Sequence, residues 1–416
     1  MNTTITAPRG FLAAGVKCGI KKSGNFDLGL IVCPSGAKAA GVFTTNKITS
    51  AAVQISKKHV KAATIYAVVV NSGNANACTG ERGIKNAVKM CSETAYFVKR
   101  EAYLERNTKH KIRNTRYEPR DVLVASTGII GEQLPMKNVI MGIADAVGGL
   151  SDSALAGMNF TKAIMTTDTK PKLACRRVEI SGKKVTIAGT TKGAGMIGPN
   201  MATTLCFITT DAAITKPLLS KALKAAIGES LNKLTVDGHQ STNDTAIILA
   251  SGLAGNRPIT KQSGEYEKFT KALVDLCEDL AKQMALDAEG ATRMFKVIVK
   301  GAATKAEAAK AARAVADYDL VKCAVNGGDP NWGRIICAVG SSGVKLNQKK
   351  MSCKLDDLAV FKNGSPTNFD RHKASKIVSQ KSHTITVDLG AGKSGDFCYG
   401  CDLSKGYVTI NAEYHT

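Results

Sequence analysis

In this 416-residue chain, the residue best placed to react as a nucleophile is a threonine that directly follows a glycine-rich loop. The loop reads Lys192-Gly-Ala-Gly-Met-Ile-Gly-Pro-Asn-Met-Ala and is followed by Thr203. A hydroxyl in this position can attack the carbonyl carbon of Ala202, shift the acyl group from nitrogen to oxygen and leave an ester that water cleaves. After such a cut, Thr203 holds both a hydroxyl nucleophile and a free α-amino group.

The new α-amino group also supplies a base. Its reference pKa is about 7.7–8.0, so a useful fraction is unprotonated near neutral pH and can accept the hydroxyl proton. One cut therefore produces the nucleophile and its base together, and no histidine is required. The chain has only six histidines, none of which stands in a triad-like setting.

The loop has two other interpretations. Gly193, Gly195 and Gly198 have the spacing of a dinucleotide fingerprint, with Asp211 near the position of a ribose-binding acid. That fingerprint opens a helix, whereas residues 203–209 are predicted to form a strand, so a nucleotide site is disfavoured. The residues alone leave open a plain turn before a strand, with the two threonines acting only as β-formers.

Segments rich in β-branched and apolar residues alternate with segments of helical periodicity. The alternation predicts an α/β (α+β layered) protein of stacked sheets and helices. The predicted helices are 216–234, 266–286 and 304–317. The predicted strands are 65–70, 122–126, 184–188, 203–209, 245–250, 296–300, 335–339, 383–389 and 407–411.

The chain is strongly basic, with a formal net charge of +23. Nucleic-acid binding is disfavoured, because the lysines are spread over the whole chain and aromatic residues make up only 5% of it. The densest basic run, residues 106–120, is expected to be a surface excursion between two strands. A basic surface that collects anionic substrates is the favoured interpretation.

The twelve cysteines are scattered, except for the pair Cys398-Tyr-Gly-Cys401. This pair has the spacing of half a zinc site, but no second pair or neighbouring histidines complete it, so we expect reduced core thiols and no metal. The first ten residues have neither the pattern of a secretory signal nor that of a transit peptide, and no apolar run is long enough to span a bilayer. The expected location is the cytoplasm.

The loop and the strand after it resemble the cleavage segment of the ornithine acetyltransferase (glutamate N-acetyltransferase) family of arginine biosynthesis. The resemblance extends over nearly the whole chain, since further segments resemble family motifs in family order. These are Thr6-Ala-Pro-Arg-Gly-Phe11, Ala40-Gly-Val-Phe-Thr-Thr-Asn46, Asn71-Ser-Gly-Asn-Ala-Asn-Ala-Cys-Thr-Gly80, Ser126-Thr-Gly-Ile-Ile-Gly131, Ile164-Met-Thr-Thr-Asp-Thr169, Ser241-Thr-Asn-Asp-Thr245, Asp287-Ala-Glu-Gly-Ala-Thr292, Asp329-Pro-Asn-Trp-Gly-Arg334 and Asn411-Ala-Glu-Tyr-His-Thr416.

The resemblance implies a fold and a processing event. The implied fold is an αββα-type sandwich, related to but distinct from the N-terminal-nucleophile hydrolases, with a smaller second domain in the C-terminal half. A cut between Ala202 and Thr203 would give an α-chain, 1–202, and a β-chain, 203–416, assembled as a heterotetramer of two of each. Both parts carry net positive charge, so a shared core rather than charge attraction must hold them together.

The resemblance also implies an activity and its residues. The activity is the transfer of an acetyl group from N2-acetylornithine to glutamate by a ping-pong reaction through acetylated Thr203. No cofactor is implied; some family members also accept acetyl-CoA, and the sequence does not decide whether this chain does. Thr127 and Gly128 match the family's oxyanion hole. The matching substrate contacts are Thr166, Lys192, Thr203, Glu289, Asn411 and Thr416.

The sequence departs from the family motifs in two places, and it leaves two rival functions open. Residues 106–119 match no family motif, and Gly238-His-Gln-Ser241 differs from the Gly-Asp beginning expected in the family. One rival is an N-terminal-nucleophile aminopeptidase of the same architecture, in which water accepts the acyl group. The other is a basic nucleic-acid-binding module.

Overall fold

The computed structural model describes residues 2–104, 117–198 and 204–413. The strands in this part are β1 Leu12–Val16, β2 Leu28–Phe43, β3 Ile65–Asn74, β4 Val122–Ile129, β5 Lys172–Ile180, β6 Lys183–Lys192, β7 Leu205–Thr210, β8 Thr245–Ala250, β9 Met294–Ala302, β10 Ser352–Leu355, β11 Leu358–Lys362, β12 Ser365–Pro366, β13 Ser382–Asp388 and β14 Ser394–Cys401. The helices are α1 Ala51–His59, α2 Gly80–Leu104, α3 Met136–Gly148, α4 Ala154–Ile164, α5 Lys216–Gly228, α6 Gly264–Leu286, α7 Lys305–Asp317, α8 Asp319–Gly327, α9 Trp332–Ser341, α10 Arg371–Val378 and α11 Lys405–Ala412.

The long strand β2 belongs to two layers. Its first part pairs with β1 and β3, and its second part pairs with β8. Between Val32 and Ala37 the pairing with β3 is interrupted, where Pro34 lacks an N–H donor and Gly36 has a φ of 78°. The strand order is β4-β3-β2-β8-β7-β6-β5, with β1 also paired to β2. We call the part with β1, β3 and β4 the first half-sheet and the part with β5 to β8 the second half-sheet.

Strand alternation shows that the two half-sheets pack face to face. Leu123 of β4 and Phe207 of β7 lie in one core between them. The next residues along these strands face outwards: Val124 packs in the core that α1, α2 and α3 cover, and Ile208 packs in the core that α5 and α6 cover. The layers are therefore helices, sheet, sheet and helices, which confirms the predicted αββα sandwich.

Strands from both sides of the 202–203 bond are interleaved in this sandwich. β7 begins only two residues after Thr203 and lies between β6 and β8, and all of its residues are buried. β8 in turn pairs with the second part of β2. Separating residues 1–202 from residues 203–416 would expose the central strand of the second half-sheet and the cores on both of its faces.

The C-terminal half adds the predicted smaller domain. Its sheet has the order β12-β11-β10-β13-β9-β14 and shares a core with helices α7 to α10. Tyr399 and Cys401 of β14 pack instead into the core of the second half-sheet, so they join the two units. Cys398 is also buried, and within the described ranges no group of three or more His, Cys, Asp and Glu side chains could hold a metal ion.

Two predicted strands are wrong. Residues 335–339 lie in α9, where the Asn331 side chain caps the first turn and Ile335, Ala338 and Val339 form the buried stripe of a helix. Residues 407–411 lie in α11, which has no buried residue despite its β-branched side chains. Short apolar runs do not distinguish strand from helix by periodicity. In α11 the Thr409 hydroxyl donates to the carbonyl of Lys405 one turn earlier, as in a helix.

The remaining strand predictions are confirmed with small boundary shifts, as β3, β4, β6, β7, β8, β9 and β13. The predicted helix 216–234 ends earlier, at Gly228, and a short 3-10 turn, Leu231–Lys233, follows it. The basic run 106–120 lies mostly outside the described residues. None of the helices in the described ranges is long and apolar enough to cross a membrane.

Candidate active site

The predicted oxyanion residues lie at the carboxyl end of β4, beside the end of the parallel strand β3. Gly128 has a φ of 132°, and a Cβ built on it would lie 2.2 Å from the carbonyl carbon of Gly73. Only glycine allows this approach of the two backbones. The close contact fixes the path of the chain at Thr127 and Gly128 and turns it toward the cavity described below.

A buried polar network holds these strand ends. The Asn243 side-chain amide donates to the carbonyls of Ala75, at 2.6 Å, and Ser126, at 2.7 Å. The Ser126 hydroxyl in turn donates to Asn71 Oδ1 at 2.7 Å. Asn243 precedes β8, so one side chain ties the second half-sheet to the predicted oxyanion segment of the first. Asn71 and Asn243 both lie in sequence motifs, but the sequence does not show that they meet around Ser126.

Lys192, the last residue of β6, brings a buried positive charge into the site. Its Nζ donates to the Thr166 hydroxyl at 3.0 Å, and among the described residues it forms no ion pair within 4.0 Å. Burial lowers its pKa, while the carboxylates of Asp168, Asp244 and Glu289 oppose that shift from a greater distance. An ammonium in this state gains stability from a bound anion.

Asp168 organises the surroundings of Lys192 and was not predicted from the sequence. It accepts the backbone N–H groups of Thr166, at 3.0 Å, and Gly193, at 2.8 Å. It also pairs with the buried Lys172 at 2.5 Å. Burial opposes its ionisation, but the ammonium groups of Lys172 and Lys192 hold the pKa of Asp168 below its usual value. Asp168 is therefore an anion that fixes Thr166 and the start of the glycine loop.

Glu289 and Asn411 form the opposite side of the site. Asn411 Nδ2 donates to Glu289 Oε2 at 2.9 Å, and the Glu289 backbone N–H donates to the carbonyl of Ala194 at 2.9 Å. Asn411 lies on α11, the element mispredicted as a strand, whose Tyr407 hydroxyl donates to Asp237 at 3.1 Å. The glycine loop and the C-terminal helix thus both hold the Glu289 carboxylate in place.

One cavity of about 410 Å³ is lined by all the predicted site residues that the structure describes. Its polar lining includes one cation and one anion of the predicted set, as expected for a zwitterionic ligand, and its volume is in the range of small-molecule sites. Ala202, Thr203 and Thr416 lie outside the described residues. The predicted residues that line the cavity are Thr127, Gly128, Thr166, Lys192, Glu289 and Asn411.

Thr204 marks where the chain re-enters the described structure after Thr203. Its hydroxyl donates to the carbonyl of Lys192 at 2.8 Å, and its backbone N–H donates to Asp244 Oδ1 at 2.9 Å. Lys192 also pairs with Leu205 in the β6–β7 ladder. The residue that follows the predicted nucleophile is therefore anchored on the same residue that supplies the cation of the cavity.

A second cavity, of about 620 Å³, adjoins the first and shares Lys22, Gly128 and Thr166 with it. Its lining contains four lysines, Lys17, Lys21, Lys22 and Lys162. Burial lowers the pKa of Lys21 to about 8, and its Nζ donates to the carbonyls of Phe26 and Met165. The first cavity is therefore basic on the side where the second adjoins it, which favours anionic ligands.

Comparison with known protein families identifies relatives of this chain. A model described as the ArgJ family matches residues 12–416. The chain belongs to the ArgJ family. Among the ArgJ relatives, the arginine biosynthesis bifunctional protein ArgJ of Symbiobacterium thermophilum is 44% identical over 99% of this chain and 98% of its own length. The protein of the same name from Bacillus cereus is 43% identical over 100% of this chain and 97% of its own length.

Solved structures of ArgJ relatives also match. The arginine biosynthesis bifunctional protein argJ of Bacillus halodurans is 44% identical, with a TM-score of 0.49, and the match covers 50% of this chain and 98% of that one. The ornithine acetyltransferase of Mycobacterium tuberculosis, solved in complex with ornithine, is 33% identical with a TM-score of 0.39. That match covers 47% of this chain and 95% of the other.

Proposed function

We propose that this chain is a glutamate N-acetyltransferase of arginine biosynthesis that moves acetyl from N2-acetylornithine to glutamate. In this proposal the chain first cuts itself between Ala202 and Thr203, and Thr203 then carries the acetyl group between the two amino acids. Membership of the ArgJ family supports the proposal, and so do the names of the relatives that match over nearly the whole chain.

One observation carries the proposal: Lys192 and Glu289 line the same cavity as Thr127 and Gly128. Lys192 is a buried ammonium that lacks an ion-pair partner among the described residues, which suits the α-carboxylate that both amino acids share. Glu289 suits the side-chain ammonium of acetylornithine. A ligand held at both ends would have its acetyl group between them, near the oxyanion segment.

The first half-reaction starts from Thr203 with a free α-amino group. Its hydroxyl oxygen attacks the acetyl carbonyl carbon, and the α-amino group takes the hydroxyl proton. The Thr127 hydroxyl and the Gly128 N–H stabilise the oxyanion, a contribution of about 3–4 kcal/mol for a donor of this kind. The carbon–nitrogen bond then breaks, the departing α-amine of ornithine receives the proton, and an acetyl ester remains on Thr203.

The second half-reaction reverses the first with a different amine. Glutamate enters with its α-carboxylate at Lys192, and its unprotonated α-amine attacks the acetyl ester. Thr203 recovers its hydroxyl proton from that amine, and N-acetylglutamate leaves. Because the two amino acids occupy one cavity in turn, the kinetics should be ping-pong.

The proposed products of self-cleavage, residues 1–202 and 203–416, would stay together because their strands are interleaved. The central position of β7, between β6 and β8, supports this part of the proposal. A heterotetramer of two α-chains and two β-chains is the proposed assembly. Its mass in solution, measured by light scattering, tests this point separately from the activity.

The function is tested by incubating the purified protein with acetylornithine and glutamate and measuring both acetylglutamate and free acetate. Stoichiometric acetylglutamate with little acetate is expected. Acetate alone would identify a hydrolase of the aminopeptidase kind, and release of neither product would contradict the proposal. A parallel assay with acetyl-CoA and glutamate establishes whether the thioester also serves as an acetyl donor.

A further inference from the structure

The two amino acids of the proposed reaction carry opposite charges at the ends of their side chains. Both have an α-carboxylate, which Lys192 suits, but acetylornithine ends in an ammonium and glutamate ends in a second carboxylate. Glu289 lines the first cavity and suits the ammonium. The same residue would bring a like charge against the γ-carboxylate of glutamate, which is unfavourable. The side chain of glutamate therefore needs a different, positively charged place.

The second cavity, of about 620 Å³, offers such a place. It adjoins the first cavity beside Gly128 and Thr166. Its lining has four lysines and one acidic residue, Asp168, whose carboxylate is already engaged by Lys172 and by two backbone N–H groups. Among the four lysines only Lys21 is half-buried, and the other three are exposed.

The ammonium of Lys21 is held in place but not neutralised by contact. Its Nζ donates to the carbonyls of Phe26 and Met165, each at 2.7 Å. Among residues 2–104, 117–198 and 204–413 it forms no ion pair within 4.0 Å. Burial lowers the pKa of Lys21 to about 8, although the charges of Asp27 and Asp168 oppose that shift. An ammonium has three N–H donors, so one is left for a ligand, and a carboxylate is its strongest acceptor.

The loop between β1 and β2 fixes the position of Lys21. The buried Asp27 carboxylate accepts the backbone N–H groups of Cys18, at 2.8 Å, Ile20, at 2.7 Å, and Lys21, at 3.1 Å. The stem of the lysine runs over Gly73 at the end of β3, where an added Cβ would lie 2.9 Å from Lys21 Cγ. Lys21 is therefore presented to the second cavity by an ordered loop and a packed stem.

Lys21 and Lys192 are anchored on consecutive residues. Lys21 Nζ donates to the Met165 carbonyl, and Lys192 Nζ donates to the Thr166 hydroxyl. The α-carbons of neighbouring residues are about 3.8 Å apart. The charge of Lys192 is also near enough to contribute to the lowered pKa of Lys21. Two neighbouring ammonium groups, one in each cavity, match the two carboxylates of a short dicarboxylic amino acid.

We propose that Lys21 binds the γ-carboxylate of glutamate, so that the side chain of the acetyl acceptor lies in the second cavity. This inference rests on the proposed function, because it assigns a subsite to the second substrate. Both substrates place the α-carboxylate at Lys192, and the charge of the side chain sets its direction. The ammonium of acetylornithine turns toward Glu289, and the γ-carboxylate of glutamate turns toward Lys21. Lys22, which lines both cavities, adds positive charge where they join.

The test compares the acceptor preference of Lys21→Met with that of wild type and of a matched control, Lys216→Met. Lys216 is also half-buried and also donates to two backbone carbonyls, those of Val60 and Ala62, but it lines neither cavity. Glutamate and glutamine, which have the same shape and differ in charge, serve as acceptors with acetylornithine as donor. High ionic strength screens the long-range attraction of the exposed lysines.

Wild type and Lys216→Met are expected to prefer glutamate over glutamine in kcat/KM by at least about tenfold, as one charge-assisted hydrogen bond provides. Lys21→Met should lose at least about tenfold of this preference, mainly through a higher KM for glutamate. An unchanged preference in Lys21→Met would overturn the proposal, as would an equal loss in Lys216→Met.

Exchange of labelled ornithine into acetylornithine, measured without glutamate, separates this proposal from the proposed function. The exchange uses only the donor side of the reaction, so Lys21→Met should perform it within about threefold of the wild-type rate. A loss of exchange as large as the loss with glutamate would show that Lys21 supports the donor or the fold, which contradicts the proposal. If wild type itself shows neither exchange nor transfer, the proposed function fails.

Two further variants cover the case in which Lys21→Met does not fold. Lys21→Arg keeps the positive charge and N–H donors, so its preference for glutamate over glutamine should stay within about threefold of wild type. Lys21→Gln keeps a polar side chain that can donate to the same carbonyls but has no charge, and it should lose the preference. The same preference in both variants, whether kept or lost, would overturn the proposal.

Discussion

Glu289 occupies the space that a side chain at position 195 would need. A Cβ built on Gly195 would lie 2.1 Å from Glu289 Oε2. The absence of a side chain at Gly195 therefore lets the Glu289 carboxylate reach the cavity. This contact involves the far end of a flexible side chain, so the carboxylate rather than the backbone must move when position 195 is enlarged.

Gly195→Ala should accordingly impair acetylornithine binding without unfolding the protein. We expect KM for acetylornithine to rise about tenfold, which corresponds to about 1.4 kcal/mol of lost binding. Steady-state kinetics and the melting temperature measure the two effects. The matched control is Gly148→Ala, at the exposed end of α3, where a Cβ meets no atom within 4 Å. Equal KM values in the two variants would show that Glu289 does not depend on Gly195.

Glu289→Gln should separate the two substrates. The amide keeps the shape of the side chain and its contact with Asn411, but it loses the charge proposed to bind the ammonium of acetylornithine. A hydrogen bond to a charged group contributes about 1.5–3 kcal/mol, so KM for acetylornithine should rise at least about tenfold. KM for glutamate, which lacks that ammonium, should change much less. A larger effect on glutamate would reverse the proposed orientation of the ligands.

Lys192→Met should weaken both substrates, because both place a carboxylate at this residue. Losing one charge-assisted contact is expected to raise both KM values by about 10-fold to 100-fold. The variant should be as stable as wild type or more stable, since a buried cation without a nearby ion partner is replaced by an apolar chain. Thermal melting together with steady-state kinetics measures both effects. An increase confined to one substrate would contradict the shared carboxylate site.

The same lysine should also give the enzyme an alkaline pH dependence. Burial lowers the pKa of Lys192, so its positive charge is lost as pH rises through that lowered value, before an exposed lysine would titrate. Substrate affinity should fall in this pH range. In Lys192→Met, the fall should be absent while the overall affinity is lower. Profiles of identical shape in the two proteins would show that another group titrates.

The lysines of the second cavity should accelerate substrate capture through long-range attraction. Lys17→Glu with Lys162→Glu should lower kcat/KM for glutamate, which has a net negative charge, at low ionic strength, and the loss should shrink as added salt shortens the Debye length to about 8 Å or less. The value for acetylornithine, whose two charges cancel, should change much less. The control is Lys354→Glu, an exposed position on β10 of the second domain. A salt-independent loss, or an equal loss in the control, would contradict steering by this cavity.

Local patterns predicted the layers of the fold well. Buried β-branched runs such as residues 245–250 identified β8, because a run of this composition fits a strand packed on both faces. The same reasoning misassigned residues 335–339 and 407–411. In α9 the Asn331 cap and a helical stripe favour the helix, and in α11 the Thr409 and Asn411 side chains donate to backbone carbonyls one turn earlier. Neither outcome is visible in the composition of a five-residue window.

Family resemblance brought together six residues that are far apart in the chain, from Thr127 to Asn411, and all six line one cavity. Asp168, Asn243 and Asp244 were missed. Each lay inside a motif that had been noted, yet its role depends on contacts across the fold, such as Asp168 with Gly193 and Asp244 with Thr204. A sequence shows that such residues are polar, but it does not show which backbone groups they satisfy.

The most direct test of the account is mass spectrometry of the active protein after incubation with acetylornithine in the absence of glutamate. We expect two fragments, the second beginning at Thr203 and heavier by one acetyl group, which glutamate then removes. Thr203→Ala should remain a single chain of 43.8 kDa without transfer activity. An active protein that is still one uncut chain, or an acetyl group found on another residue, would contradict the account.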